Sequence, residues 1–204
     1  MPRLHNFDYN TIGAYFITIC TENRAEILSH VVGVGVPDDP DCVELLPYGK
    51  IADKYIKQLN DFYEDISVDR YVIMPNHIHI LLSLRNGSSR TPTPTARGVV
   101  CGDGDVFCGQ SGTPVPTNYE ATFAEKSLNS NEKHISKDNT KANSSVSKFV
   151  STFKRFCNKE CGQNIWQRFF YDHVIRNRED YEEHVKYIYE NPKNWYYDEL
   201  YAKK

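Results

Sequence analysis

Two histidines stand one residue apart in Met74-Pro75-Asn76-His77-Ile78-His79-Ile80-Leu81-Leu82. Side chains of a strand alternate between faces, so His77 and His79 project on one side, one pleat apart, while Ile78, Ile80 and Leu82 go to the other. That is a bidentate platform for a divalent ion. The plainer reading of an isolated HxH is two histidines on an exposed strand face, and spacing alone does not decide between them. A second group lies between residues 180 and 191. At about 100° per helical residue, Tyr181, Val185 and Ile188 share a buried face, and Asp180, His184, Tyr187 and Asn191 form a band alongside it. A phenol beside an amide and an imidazole, at the edge of a core, would deliver a nucleophile and a metal ligand together. The plainer alternative makes Tyr187 one more packing aromatic in Tyr187-Ile188-Tyr189.

These residues need elements to position them. Residues 15–21, YFITICT, are aromatic and β-branched and predict a strand. Residues 33–40, GVGVPDDP, fall in a following loop of turn residues that resists a regular assignment. Ala52, Tyr55, Ile56, Leu59, Phe62 and Tyr63 recur at helical spacing and predict an amphipathic helix over 49–63. Strands over 67–74 and 77–84, separated by Pro75-Asn76, suit a tight antiparallel hairpin. Residues 85–142 are thick with Gly, Ser, Thr, Pro and Asn and read as a flexible insertion within one domain spanning 1–204. Helical spacing returns with Val146, Phe149, Val150, Phe153 and Phe156, and Gly162 is placed to end that helix. A strand over 169–175 follows, then a helix capped by Asn177 that runs to about Tyr189. This order matches an α+β, ferredoxin-like split βαβ plan: a four-stranded antiparallel sheet, helices on one face, and a C-terminal helix bearing the tyrosine.

Charge sets further bounds. The 204 residues carry 24 Lys plus Arg against 27 Asp plus Glu, a net of -3, so any phosphate-binding surface must be a local stripe. Residues 143–204 hold 11 basic and 9 acidic residues, a net of +2. Lys148, Arg155 and Lys159 fall on one face of the second helix, opposite its phenylalanines. Such a stripe is usually a solvated face, and a phosphate track is the alternative. Six cysteines, Cys20, Cys42, Cys101, Cys108, Cys157 and Cys161, include no CxxC pair, and reduced thiols are expected rather than disulfides or a zinc site. No apolar run approaches a membrane span and the polar start lacks the grading of a signal peptide, so a cytoplasmic protein is expected.

The block Asn164-Ile165-Trp166-Gln167-Arg168-Phe169-Phe170-Tyr171-Asp172-His173-Val174-Ile175-Arg176-Asn177, followed by Tyr187-Ile188-Tyr189-Glu190-Asn191-Pro192, resembles the REP-associated tyrosine transposases, which are single-tyrosine HUH transposases. Gly13-Ala14-Tyr15-Phe16-Ile17-Thr18 and the run from Pro75 to Leu82 are similar to the same family. The resemblance implies a metal-dependent nuclease and strand transferase that cleaves and rejoins single-stranded DNA near hairpins through a 5′-phosphotyrosine. It implies that His77 and His79 hold a divalent ion, that Tyr187 is the nucleophile, and that Asn191 adds a polar ligand from the tyrosine helix.

A free phenol has a pKa near 10 and needs help at neutral pH. His184 is a candidate for that help. Two imidazoles and an amide oxygen suit Mg2+ or Mn2+ in an open site. Lys148, Arg155, Lys159, Arg168, Arg176 and Arg178 are candidate phosphate contacts, and the abundant Tyr and Phe are candidates for stacking unpaired bases. The expected partner is single-stranded or hairpin DNA, with no membrane, and the protein would be a monomer or homodimer. Two other readings stand beside this one. A catalytically inactive DNA-hairpin-binding regulator would keep the basic and aromatic features but tolerate loss of Tyr187 or His77. A small hydrolase using HxH alone lacks a third histidine or a paired carboxylate at a telling spacing.

Overall fold

The computed structural model describes residues 10–32, 42–85, 106–108 and 144–201. Four antiparallel strands form the central sheet in the order β4-β5-β1-β7: β1 Gly13–Cys20, β4 Ile66–Ile73, β5 His77–Leu84 and β7 Tyr171–Val174. β1 and β5 are interior strands, and all eight residues of β5 are buried. The hairpin between β4 and β5 turns at Pro75-Asn76, closed by the Met74 N–H donating to the His77 carbonyl at 2.8 Å. A shift of register between Val68 and Arg70 interrupts the β4–β5 ladder at Asp69. The Asp69 carboxylate accepts from the hydroxyls of Ser67, Ser83 and Tyr181.

Helix α1, Pro47–Phe62, starts with Pro in its first turn, where the missing N–H costs nothing. Gly49, Ala52, Ile56 and Leu59 are its buried stripe. Gly49 is forced by close approach, because a Cβ there would lie 2.0 Å from the Leu28 carbonyl oxygen. Helix α2, Ser145–Cys161, is capped by the Ser144 hydroxyl accepting from the Ser147 N–H, and ends at Gly162 in the left-handed conformation, φ 72°. α1 and α2 lie side by side, joined where Lys54 and Tyr55 meet Glu160 and where Tyr63 donates to Thr152.

The two faces of the sheet are covered differently. Tyr71, paired with Ile80, donates to Asp53 of α1 at 2.6 Å, so α1 and α2 cover the face that carries Ile78, Ile80 and Leu82. Helix α3, Arg178–Glu190, begins at Asn177, whose side chain accepts from the Asp180 N–H at 2.8 Å. α3 lies against the opposite face, where Tyr181 reaches Asp69 and His184 packs on Phe16. The helices on one face are thus α1 and α2, and the tyrosine-bearing helix stands alone on the other.

The region following β1 differs from the expectation of a loop. Ser29–Val32 (β2) and Cys42–Leu45 (β3) pair as antiparallel strands, and Val106–Cys108 (β6) adds to β3, giving a second sheet in the order β2-β3-β6. Four-residue strands flanked by Gly and Pro carry too few alternations to stand out, and their pairing is non-local. Residues 33–40 lie outside the described residues. So does the stretch 85–142 apart from Arg85 and Val106–Cys108. Of the cysteines, Cys20 and Cys157 are buried thiols and Cys161 is half-buried, all three free. Among the described residues, no helix is long and apolar enough to cross a membrane.

Candidate active site

β5 sends His77 and His79 to the α3 face, as strand alternation requires. The pair is not on an exposed face: His77 is 0% and His79 3% accessible. Their rings meet edge to face with centroids 4.5 Å apart. Each ring is held from behind. His77 Nδ1 is 2.8 Å from Asn76 Oδ1, and the Asn76 amide donates through Nδ2 to the Leu200 carbonyl at 2.8 Å. With the amide so oriented, its oxygen can only accept, so His77 carries its proton on Nδ1 and leaves Nε2 as a lone pair. His79 Nδ1 is 2.8 Å from the Thr18 hydroxyl on β1.

Burial pushes the His77 imidazole down to about 3, with the Arg24 charge adding to the effect. Burial and the neighbouring His77 drive His79 well below its ordinary value. Both rings are therefore neutral. Both Nε2 atoms are buried without a hydrogen-bond partner, as is Asn191 Oδ1. An unsatisfied buried polar atom costs about 1–3 kcal/mol, and a bound cation would satisfy such an atom where it offers a lone pair.

α3 brings Tyr187 to the same place. Its ring lies 5.2 Å from His79 and 5.9 Å from Phe16, and the residue is 43% accessible, so an incoming group can reach it. Asn191 follows at the C-terminal cap of α3 and is buried. The Tyr187 hydroxyl donates to Asp198 Oδ2 at 3.3 Å, and Asn191 Nδ2 donates to the same oxygen at 3.0 Å. Burial, and then the Asp198 charge, push the Tyr187 phenol up to about 12.

Asp198 is the residue that sequence reasoning missed. After Pro192 the chain makes a short helical turn, Trp195–Tyr197, which sets the Trp195 ring 5.9 Å from His77 and turns Asp198 inward. The Leu200 N–H steadies the carboxylate through Oδ1 at 2.7 Å. Donor atoms of His77, His79 and Asp198 all lie within 4.8 Å of one another. Two neutral imidazoles, a carboxylate and an amide oxygen are a fitting set for a divalent ion. The one local signal was an acid following the aromatic triplet Trp195-Tyr196-Tyr197, but only the fold shows where that acid points.

The other expected site residues are divided between two places. His184 Nδ1 lies 2.7 Å from the Asp180 carbonyl and 3.1 Å from its carboxylate, while the partner of the Tyr187 hydroxyl is Asp198. Lys148, Arg155 and Lys159 are exposed on α2, behind the sheet as seen from the histidines. Lys154, between them, donates to the Gln167 and Phe169 carbonyls. Arg168, Arg176 and Arg178 are exposed around β7 and the start of α3, with Arg178 paired to Glu182 at 2.8 Å.

No family model matches the chain. It is 23% identical over 205 residues to an uncharacterized protein of Haemophilus influenzae, covering 98% of this chain and 91% of that protein. A stretch of 33 residues is 61% identical to the REP-associated tyrosine transposase of Escherichia coli, covering 16% of this chain and 20% of that protein. A solved structure of a REP-associated tyrosine transposase bound to a REP hairpin superimposes with a TM-score of 0.50 at 17% identity, over 94% of this chain and 73% of that one. The chain shares the fold of that transposase.

Proposed function

We propose that the protein is a metal-dependent tyrosine transposase that cleaves and rejoins single-stranded DNA near hairpins through a 5′-phosphotyrosine on Tyr187. The observation that carries this reading is that His77, His79 and Asp198 offer ligand atoms within 4.8 Å of one another while the Asp198 carboxylate accepts from Tyr187 and Asn191. His77, His79 and Asp198 would hold a divalent ion, with the Asn191 amide oxygen as a further candidate ligand. When bound, that ion supplies charge stabilisation at the scissile phosphate.

The chain's own residues do the rest. Thr18 and Asn76 fix the imidazole orientations. Phe16 and His79 pack around the Tyr187 ring and aim its hydroxyl. As the Tyr187 oxygen bonds to phosphorus, its proton leaves toward Asp198, the acceptor already in place, and the bond from phosphorus to the 3′ oxygen breaks. The 3′ oxygen takes a proton and departs as a hydroxyl, and the reverse attack rejoins the strand. Tyr196 and Tyr197, 52% and 89% accessible beside Asp198, are positioned to stack unpaired bases. In this reading the chain is one domain, with residues 85–142 inserted between β5 and α2.

The test is incubation of labelled single-stranded hairpin DNA with Mn2+ and the protein, followed by denaturing electrophoresis. A covalent protein–DNA band that is absent from Tyr187→Phe supports the reading. Hairpin binding with no such band in the wild type would identify a DNA-binding regulator instead.

A further inference from the structure

A second group of donors lies on the α3 side of the molecule, apart from the pocket above. Asp180 and His184 sit one turn apart on α3, and His173 comes from β7. His173 Nε2 is 3.0 Å from one oxygen of the Asp180 carboxylate and 3.1 Å from the other, and His184 Nδ1 is 3.1 Å from it. The two imidazoles stack with centroids 4.8 Å apart and 16° between planes, and each has one nitrogen within 3.1 Å of the carboxylate. Donor atoms of all three residues lie within 4.8 Å of one another.

The backbone fixes each member. His173 is paired with Phe16 in the sheet, and the Phe16 ring packs 4.6 Å from His184. The Arg176 N–H donates to Asp180 Oδ2 at 3.0 Å, and the Asn177 side chain holds the Asp180 N–H. The His173 side chain is 40% accessible, which leaves the group open to solvent on one side.

We infer that His173, Asp180 and His184 form a second divalent-ion site, one suited to a zinc-class ion. Donors around a tetrahedral ion with bonds of about 2.0–2.1 Å lie about 3.3 Å apart, and each imidazole nitrogen here lies 3.0–3.1 Å from the carboxylate. Two imidazoles with a single carboxylate favour zinc, cobalt or nickel over magnesium or calcium, which prefer shells made mainly of oxygen. The open side supplies a fourth position for water. The competing description is a hydrogen-bonded trio with protons where the ion would be. In it His184 keeps its 2.7 Å bond to the Asp180 carbonyl, a bond it gives up when Nδ1 turns its lone pair to an ion. An ion here clamps the first turn of α3 to the edge strand and so steadies the helix that carries Tyr187. The inference does not depend on Tyr187 being a nucleophile.

The experiment is a Co2+ titration of the full-length His77→Ala/His79→Ala protein, in which the first histidine pair is gone. One equivalent of Co2+ should bind with visible d–d absorption. Adding Asp180→Asn or His173→Gln should weaken binding by about tenfold or more, with the circular dichroism spectrum unchanged. Asp180→Asn disturbs the contact with Arg176, so if that variant misfolds, His173→Gln on the half-exposed edge strand decides alone. Absence of Co2+ binding in the His77→Ala/His79→Ala protein, or affinity unchanged by His173→Gln, overturns the second site.

Discussion

The two faces of the central sheet are built from the same strands and do different work. β5 sends Ile78, Ile80 and Leu82 to α1 and α2, and these side chains need no polar partner. It sends His77 and His79 to the other face, where each buried polar group needs a partner of its own: Asn76 for His77, Thr18 for His79, and Ser67, Ser83 and Tyr181 for Asp69. Burial raises the Asp69 carboxyl, and the three hydroxyls counter part of that rise. Strand alternation therefore separates stability from chemistry within single strands, and substitutions on the two faces should be separable in their readouts.

The largest expected contrast is between neighbours on β5. Ile80→Ala should cost about 2–5 kcal/mol of stability by leaving a cavity under the helices. His79→Ala should abolish DNA cleavage at a smaller cost in stability, because removing the unpartnered Nε2 offsets part of the cavity and of the lost Thr18 contact. Denaturant unfolding and the adduct assay, run on both variants, check this; equal stability losses would break the division of labour. Next in size is Asp198→Asn, which keeps the shape but removes the charge. It should weaken Mn2+ binding by about tenfold or more, measured calorimetrically, and move the Tyr187 phenol back toward its ordinary value, read by ultraviolet titration.

Much of this contrast was legible in the sequence because it follows from local periods. The alternation of β5, the 3.6-residue spacing of α1 and α2, the left-handed stop at Gly162 and the Asn177 cap are rules that act within a few residues. The convergence of His77 with Asp198 is not local, because 121 positions separate them and only the turn after Pro192 brings the acid back. For the same reason the burial of the HxH pair escaped notice: it depends on α3 and the 195–201 segment closing over the strand. The basic stripe on α2 was correctly placed opposite the phenylalanines, but sequence could not tell which side of the sheet α2 would cover.

That placement gives a smaller prediction. The triple variant Lys148→Ala/Arg155→Ala/Lys159→Ala should leave the salt dependence of hairpin affinity unchanged, because the stripe lies behind the sheet. Arg176→Ala, beside the start of α3, should reduce the slope by about 0.7, the share of one phosphate contact on a single strand. The reverse pattern would move the DNA to the α1/α2 side. Smallest of all is an effect confined to the packing side. Lys54 and Tyr55 hold the Glu160 carboxyl below its usual range. A carboxyl lowered in the folded state stabilises above its unfolded pKa and loses that contribution as pH falls through the folded value. Glu160→Gln should therefore narrow its stability deficit against wild type as the medium is acidified from neutral, with Mn2+ binding untouched. A deficit independent of pH would show that the link between α1 and α2 is not ionic.

The central claim is that the Tyr187 oxygen becomes joined to DNA phosphorus. Mass spectrometry of the tryptic digest after reaction with hairpin DNA and Mn2+, followed by nuclease trimming, tests it most directly. Cleavage after Lys186 and Lys193 isolates a peptide holding both Tyr187 and Tyr189. A nucleotide mass on that peptide is expected, with fragmentation assigning it to Tyr187. A nucleotide on Tyr189 or on another tyrosine, or a cleaved strand with no protein attached, would contradict it.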